Sequence, residues 1–137
     1  MRRSTISCCG VAVLAAFALL ALGGCGGSEK PAYCSDQEAL QQSVADLRGV
    51  DLTGGGLSQL RARLAAVEDD ATALIASARD QFAPQSAQLR SALDRLRTAV
   101  GSATSTPSAS AVSDVVTDAS AVASAVGDFA DAVRSSC

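Results

Sequence analysis

Two long stretches of this chain repeat apolar residues with the period of helices packed against helices. Leu57, Leu60, Leu64, Val67, Ala71, Leu74, Ala78 and Phe82 follow one another at steps of three and four. Val112, Val115, Ala119, Val122, Val126, Phe129 and Val133 do the same near the C-terminus. That spacing places one residue of each turn on a single face, a heptad-like seam. Leu89, Leu93, Leu96 and Val100 continue an apolar stripe beyond Pro84, and Leu40, Val44 and Leu47 form a shorter one upstream. Charged residues such as Arg61, Arg63, Glu68, Asp69 and Asp70 fall off the seams. No stretch alternates with period two, and alanine, abundant here, is a poor strand former. The fold class is therefore all-α: an antiparallel bundle or hairpin of three to four amphipathic helices.

The punctuation sets the element boundaries. Ser35-Asp36-Gln37-Glu38 has the form of a capping box that starts the first helix, which should end near Gly49. A glycine-rich turn, Leu52 to Gly56, follows. A Ser/Thr-rich loop from Ser102 to Thr106 breaks the third stripe, and Thr106-Pro107 reads as an N-cap followed by a proline at the first position of the last helix. Pro84 leaves two topologies open. Proline inside a helix costs about 3 kcal/mol or more, which favours a break and a four-helix up-down-up-down bundle. Ala83 is a poor cap and no Gly or Asn marks a turn there, which favours one long helix kinked at Pro84, with the two shorter helices end to end along it. The lengths tip the reading slightly toward the long helix.

Size and composition narrow the function classes. A chain of 137 residues supports one domain. Hydrophobic residues make up 48%, too many for wholesale disorder. The formal net charge of −3 opposes nucleic-acid binding, which needs a basic patch. The chain has no histidine, the commonest general base and neutral metal ligand. Glu68, Asp69 and Asp70 are adjacent, so on a helix they point to different faces and cannot converge on a cation. Asp114, Asp118, Asp128 and Asp131 read as a solvated face, with Arg90, Arg95 and Arg97 as the cations they would meet across an interface. Gly54-Gly55-Gly56 lacks the Lys-Ser/Thr of a phosphate loop. The expectation is a protein without catalysis, metal or cofactor. Phe82 and Phe129 fall on the seams and are expected in the core, and Tyr33, which precedes Cys34, is expected to cover a disulfide formed there.

The N-terminal segment carries an address. Arg2 and Arg3 precede an apolar, uncharged run from Gly10 to Leu22, about a dozen residues where roughly 20 would span a bilayer. Leu22-Gly23-Gly24-Cys25 at its end resembles the lipobox of bacterial lipoproteins. The resemblance implies that Leu22, Gly23 and Gly24 are recognised by the signal peptidase. It also implies that cleavage precedes Cys25 and that this residue carries the lipid. Residues 1–24 are then a signal peptide, 25–33 the lipidated Cys and a flexible tether, and 34–137 the helical domain. Cysteine arithmetic agrees. Cys8 and Cys9 leave with the leader, Cys25 is lipidated, and Cys34 and Cys137 remain as an even pair for a disulfide in an oxidising compartment. The twin arginines Arg2 and Arg3 leave twin-arginine export open, but the residues after them fit that motif poorly, and the general secretory route is preferred. Arginine far outnumbers lysine, a usage that resembles high-GC actinobacteria, and the mature part looks like small secreted helical proteins of that group. The expected setting is the outer face of the cell membrane, reached through lipid on Cys25, with an envelope protein as partner and self-association open. The leading function is a binding or structural module. The alternative is a carrier of a small ligand or lipid, which needs a cavity that short Ala and Val side chains tend to close.

Overall fold

A computed structural model describes residues 29–52 and 56–137. Within them the chain forms four helices: α1 (Ala32–Arg48), α2 (Gly56–Ala78), α3 (Ala83–Ser105) and α4 (Ala109–Val133), with a 3₁₀ turn at Arg79–Phe82 between α2 and α3. The described residues contain no strand. The all-α class and the bundle follow the apolar periodicity closely. Leu60, Leu64, Val67, Ala71, Leu74, Ala78 and Phe82 are buried, as are Leu89, Leu93, Leu96 and Val100. Only Leu57, Val112 and Ala119 of the predicted seams are half-buried.

The chain reverses between α2 and α3, so the long kinked helix is not formed. Arg97 lies 2.8 Å from Glu68, although 29 residues separate them. In one continuous helix that separation would span roughly 43 Å. Two features make the turn. Arg79 has φ 49°, in the left-handed region, and Phe82 leaves helical geometry at φ −123°, ψ 42°. Pro84 then sits in the first turn of α3, where its missing N–H would have had no helical partner. The energetic objection to an internal proline thus outweighed the absence of a glycine or a good cap. Phe82 is buried among other rings, and that packing fixes the turn in place of a local signal.

Three local expectations are corrected. α1 begins at Ala32, with Pro31 at its N-cap, so Ser35 lies inside the helix and its hydroxyl donates to the Ala32 carbonyl at 2.9 Å. The capping box is not made, because an extra turn is needed to bring Tyr33 and Cys34 into the core. α1 accordingly starts two residues before Cys34. Residues 102–105 are helical and not a loop. Thr104 and Ser105 turn their hydroxyls back onto the Val100 and Gly101 carbonyls, which keeps polar side chains compatible with the last turn. Thr106 closes α3, and Ser108 is the N-cap of α4, accepting from the Ala111 N–H at 3.1 Å.

The first helix ends at Arg48 with Gly49 beyond it, as expected. Gly56 opens α2 where a Cβ would lie 1.8 Å from the Asp51 carbonyl oxygen, so only glycine fits that approach. Backbones come closest between α1 and α2 and between α3 and α4. The α3–α4 pair buries Ala92, Ala99, Ala103, Ala111 and Ala125, whose short side chains permit a small interaxial distance. The α2–α3 and α1–α4 sides are wider. No helix among the described residues is long and apolar enough to cross a membrane.

Candidate functional site

The up-down-up-down order brings the start of α1, the α2–α3 turn and the end of α4 to one end of the bundle. Cys34 and Cys137 meet there in a disulfide with a Cα–Cα distance of 5.8 Å across 103 residues. Tyr33 meets Phe82 edge-on at 5.3 Å, and Phe82 meets Phe129 at 5.6 Å. The expectation that Cys34 and Cys137 pair, and that Phe82 and Phe129 are core residues, is realised at a single place. Leu22, Gly23, Gly24 and Cys25 lie outside the described residues.

The acidic residues scatter as their positions on helices require. Asp70 accepts from Ser43 and Asp36 accepts from Ser77, two contacts that tie α1 to α2. Glu68 instead faces α3 and holds Arg97, while Asp69 is exposed. The hydrogen bond to Glu68, then its charge, raise the Arg97 pKa further, with Asp94 adding to the effect. Arg95 reaches Asp118 of α4 at 3.9 Å, Asp128 accepts from Gln88 at 2.8 Å, and Asp131 pairs with Arg134. Each of these pairs has at least one partner exposed to solvent and contributes little to stability. Among the described residues no group of Cys, Asp and Glu could hold a metal ion.

A groove of about 740 Å³ runs along the wide α2–α3 side. Its size falls within the usual range for small-molecule sites. Residues at steps of three and four on each helix line it. Ala71 and Ile75 come from α2, and Ser86, Arg90, Leu93 and Arg97 from α3. Its far end is crossed by the Glu68–Arg97 bridge, and its near end is bounded by Arg79 and Asp80 of the turn. A second hollow, about 800 Å³, lies on the outer face of α3 and α4 and is more open to solvent.

Two buried polar side chains stand near the disulfide end without hydrogen-bond partners. Gln37 is 5% exposed and neither amide atom is paired; Ser86 is 3% exposed and its hydroxyl is unpaired. A buried group left in this state costs about 1–3 kcal/mol. Sequence reasoning assigned no role to either. The signal was present, because Gln37 falls three residues before Leu40, and Ser86 three before Leu89, on the apolar stripes themselves. Ser86 is among the residues that line the α2–α3 groove, with its hydroxyl oxygen buried away from solvent. Arg79 and Arg90 line the same groove, exposed and without an ion pair among the described residues.

No family model, curated protein or solved structure matches this chain, so the reading of these features rests on their own chemistry.

Proposed function

We propose that this protein is a lipid-anchored, extracytoplasmic binding module of the cell envelope, without catalysis. One observation carries the reading: Cys34 and Cys137 are bonded to each other. Cys25, at the end of the apolar leader, is then the sole cysteine beyond that leader outside the disulfide. A stable disulfide fits an oxidising compartment, and a lone cysteine in the lipobox position fits lipidation. The helical domain adds a compact stapled body at the end of a tether of a few residues, a form suited to holding a partner or ligand close to a membrane. The missing histidine and the scattered carboxylates support the absence of catalysis.

Intact mass of the protein from its native membrane fraction tests this. Cleavage before Cys25, added acyl mass and a gain of about 2 Da on reduction are expected. A Cys25 that is unacylated in the membrane fraction overturns the anchor. Cys25→Ser should also release the protein from membranes.

The carrier reading has its own support. The α2–α3 groove is a space of ligand size between two helices, lined in part by Ala71, Ile75 and Leu93.

A further inference from the structure

The stretch that joins α3 to α4 is rich in hydroxyls. Six of the nine residues from Ser102 to Ser110 carry one, and Pro107 stands among them. The structure separates these hydroxyls by what they already do. Thr104 and Ser105 donate to the Val100 and Gly101 carbonyls. Ser108 accepts from the Ala111 N–H and meets the Ser110 hydroxyl at 3.0 Å. Ser102 and Thr106 remain, both exposed and neither with a side-chain hydrogen bond among the described residues. Ser102 is still helical, whereas Thr106 has left α3 at φ −138°, ψ 79°. Pro107 keeps it there, because a proline disfavours helical geometry in the residue before it. Thr106 thus offers a free hydroxyl on exposed, non-helical backbone. We propose that Thr106 is an O-glycosylation site that carries one neutral hexose, which rests on the reading that the chain is exported but not on the lipid at Cys25.

Segments of Ser, Thr and Pro are the composition of O-glycosylated stalks in exported proteins. In the transfer, the Thr106 Oγ1 bonds to the anomeric carbon of a sugar joined through that carbon to a phosphate donor. The bond from the carbon to the donor's phosphate oxygen breaks, the phosphate leaves with the electron pair, and the hydroxyl proton passes to a base of the transferase. The surroundings select the kind of group that Thr106 carries. Thr106 lines an open hollow of about 510 Å³, within the usual range for small-molecule sites. Thr98, Ser102, Ser105, Gly101 and Asp114 line it too. A Cβ on Gly101 would meet nothing within 4 Å, so the space beside it is open. Asp114 is exposed with no partner among the described residues, and its carboxylate can accept from sugar hydroxyls. No described Lys or Arg lines the hollow. A phosphate on Thr106 would bring nearly two negative charges beside Asp114 with no cation to hold them. The Ala111 N–H at the start of α4, which would otherwise serve an anion, is taken by Ser108. A neutral polyhydroxyl group meets neither obstacle. The position is also open: the 25 residues of α4 put this connection roughly 37 Å from the disulfide end, where the chain runs back toward Cys25.

The test is peptide mass spectrometry of the full chain isolated from its native cells. Trypsin cuts after Arg97 and Arg134 and releases one peptide, Thr98 to Arg134, that holds every hydroxyl of the connection. A gain of about 162 Da, one hexose, is expected on it. Fragmentation that leaves side-chain sugars attached should place the gain on Thr106. Thr106→Ala should lose it completely, Thr106→Ser should keep it, and Ser102→Ala should leave it unchanged. Circular dichroism should show all three variants folded, since neither side chain holds another group in the structure. A bare peptide from the native protein, or a sugar on Ser102 or Ser110 with Thr106 free, overturns the site. A gain of about 80 Da, one phosphoryl group, overturns the neutral assignment. Repeating the measurement with Cys25→Ser separates the site from the anchor. Hexose on Thr106 of the released protein supports the site even if the anchor is disproved, and an acylated Cys25 on a chain with a bare connection overturns the site alone. A bare connection on a chain that still carries residues 1–24 overturns the export reading together with the site.

Discussion

The two ends of the bundle are held by different means. At the disulfide end, every aromatic residue outside the leader gathers beside the Cys34–Cys137 bond. At the other end, α1 meets α2 and α3 meets α4 through Leu47, Leu60, Val100, Ala103, Ala111 and Val115, with no ring and no covalent link. There the short 106–108 connection and the Ser108 cap hold the chain instead. Large rings fill volume that no other side chain of this sequence can fill, and they come from residues 33, 82 and 129, far apart in the chain. Small residues fill space by letting backbones approach. The first end therefore depends on long-range contacts, and the second on local ones. The unpaired Gln37 and Ser86 sit near the end with the strongest fastening. That excess of packing can offset their cost.

Truncation of buried side chains gives the sharpest contrast. Phe129→Ala should cost about 3–5 kcal/mol, since Phe129 is fully buried and touches Phe82. Val115→Ala, equally buried near the other end, should cost about 2 kcal/mol, from two methyl groups at ~0.8 kcal/mol each plus a small cavity. Urea unfolding measures both, and equal losses would erase the distinction between the ends.

Removal of the disulfide comes next. Cys34→Ser with Cys137→Ser should lower stability by about 2–4 kcal/mol, toward the upper end because the closed loop is long. Hydrogen exchange should then rise first in α1 and the last turns of α4. Faster exchange around Ser108 instead would show that the staple governs the whole bundle.

The buried amide allows a change in the opposite direction. Gln37→Leu should raise stability by about 1 kcal/mol, because an unpaired polar group is replaced by an apolar one of similar length. A loss of stability would mean that Gln37 has a partner in solution, most simply a bound water.

The smallest contrast separates two serines. Ser108→Ala should cost about 1 kcal/mol, since its side chain caps α4. Ser35→Ala should change stability by less than about 0.5 kcal/mol, since Ser35 bonds only to a carbonyl within α1 and is exposed. Thermal melts of the two variants side by side decide whether the cap or the box-like sequence matters.

Much of this was legible in the residues, because periodicity acts on every turn and tolerates local exceptions. Nearly all seam residues named from their spacing are buried. The pairing of Cys34 with Cys137 also followed, from counting once Cys25 is set aside for lipid and Cys8 and Cys9 are assigned to the leader. The errors occur where one residue decides. Ser35 has the form of a cap, yet burial of Tyr33 and Cys34 pulls the helix start to Ala32. Ser102 to Ser105 have loop composition, yet the Thr104 and Ser105 hydroxyls bond to the preceding turn and leave the helix intact. The candidate groove was not legible, since it lies on a side where two stripes, each regular by itself, stand further apart than their neighbours.

The sequence by itself determined the helices and their buried faces, because each depends on residue identity at short, regular spacing. The tertiary structure alone decided the reversal at Arg79, the end at which the rings collect, the isolation of Gln37 and Ser86 in the core, and the opening between α2 and α3. Those outcomes depend on how four amphipathic faces share one interior, and a periodic pattern fixes which face turns inward without fixing how far apart two helices must stand.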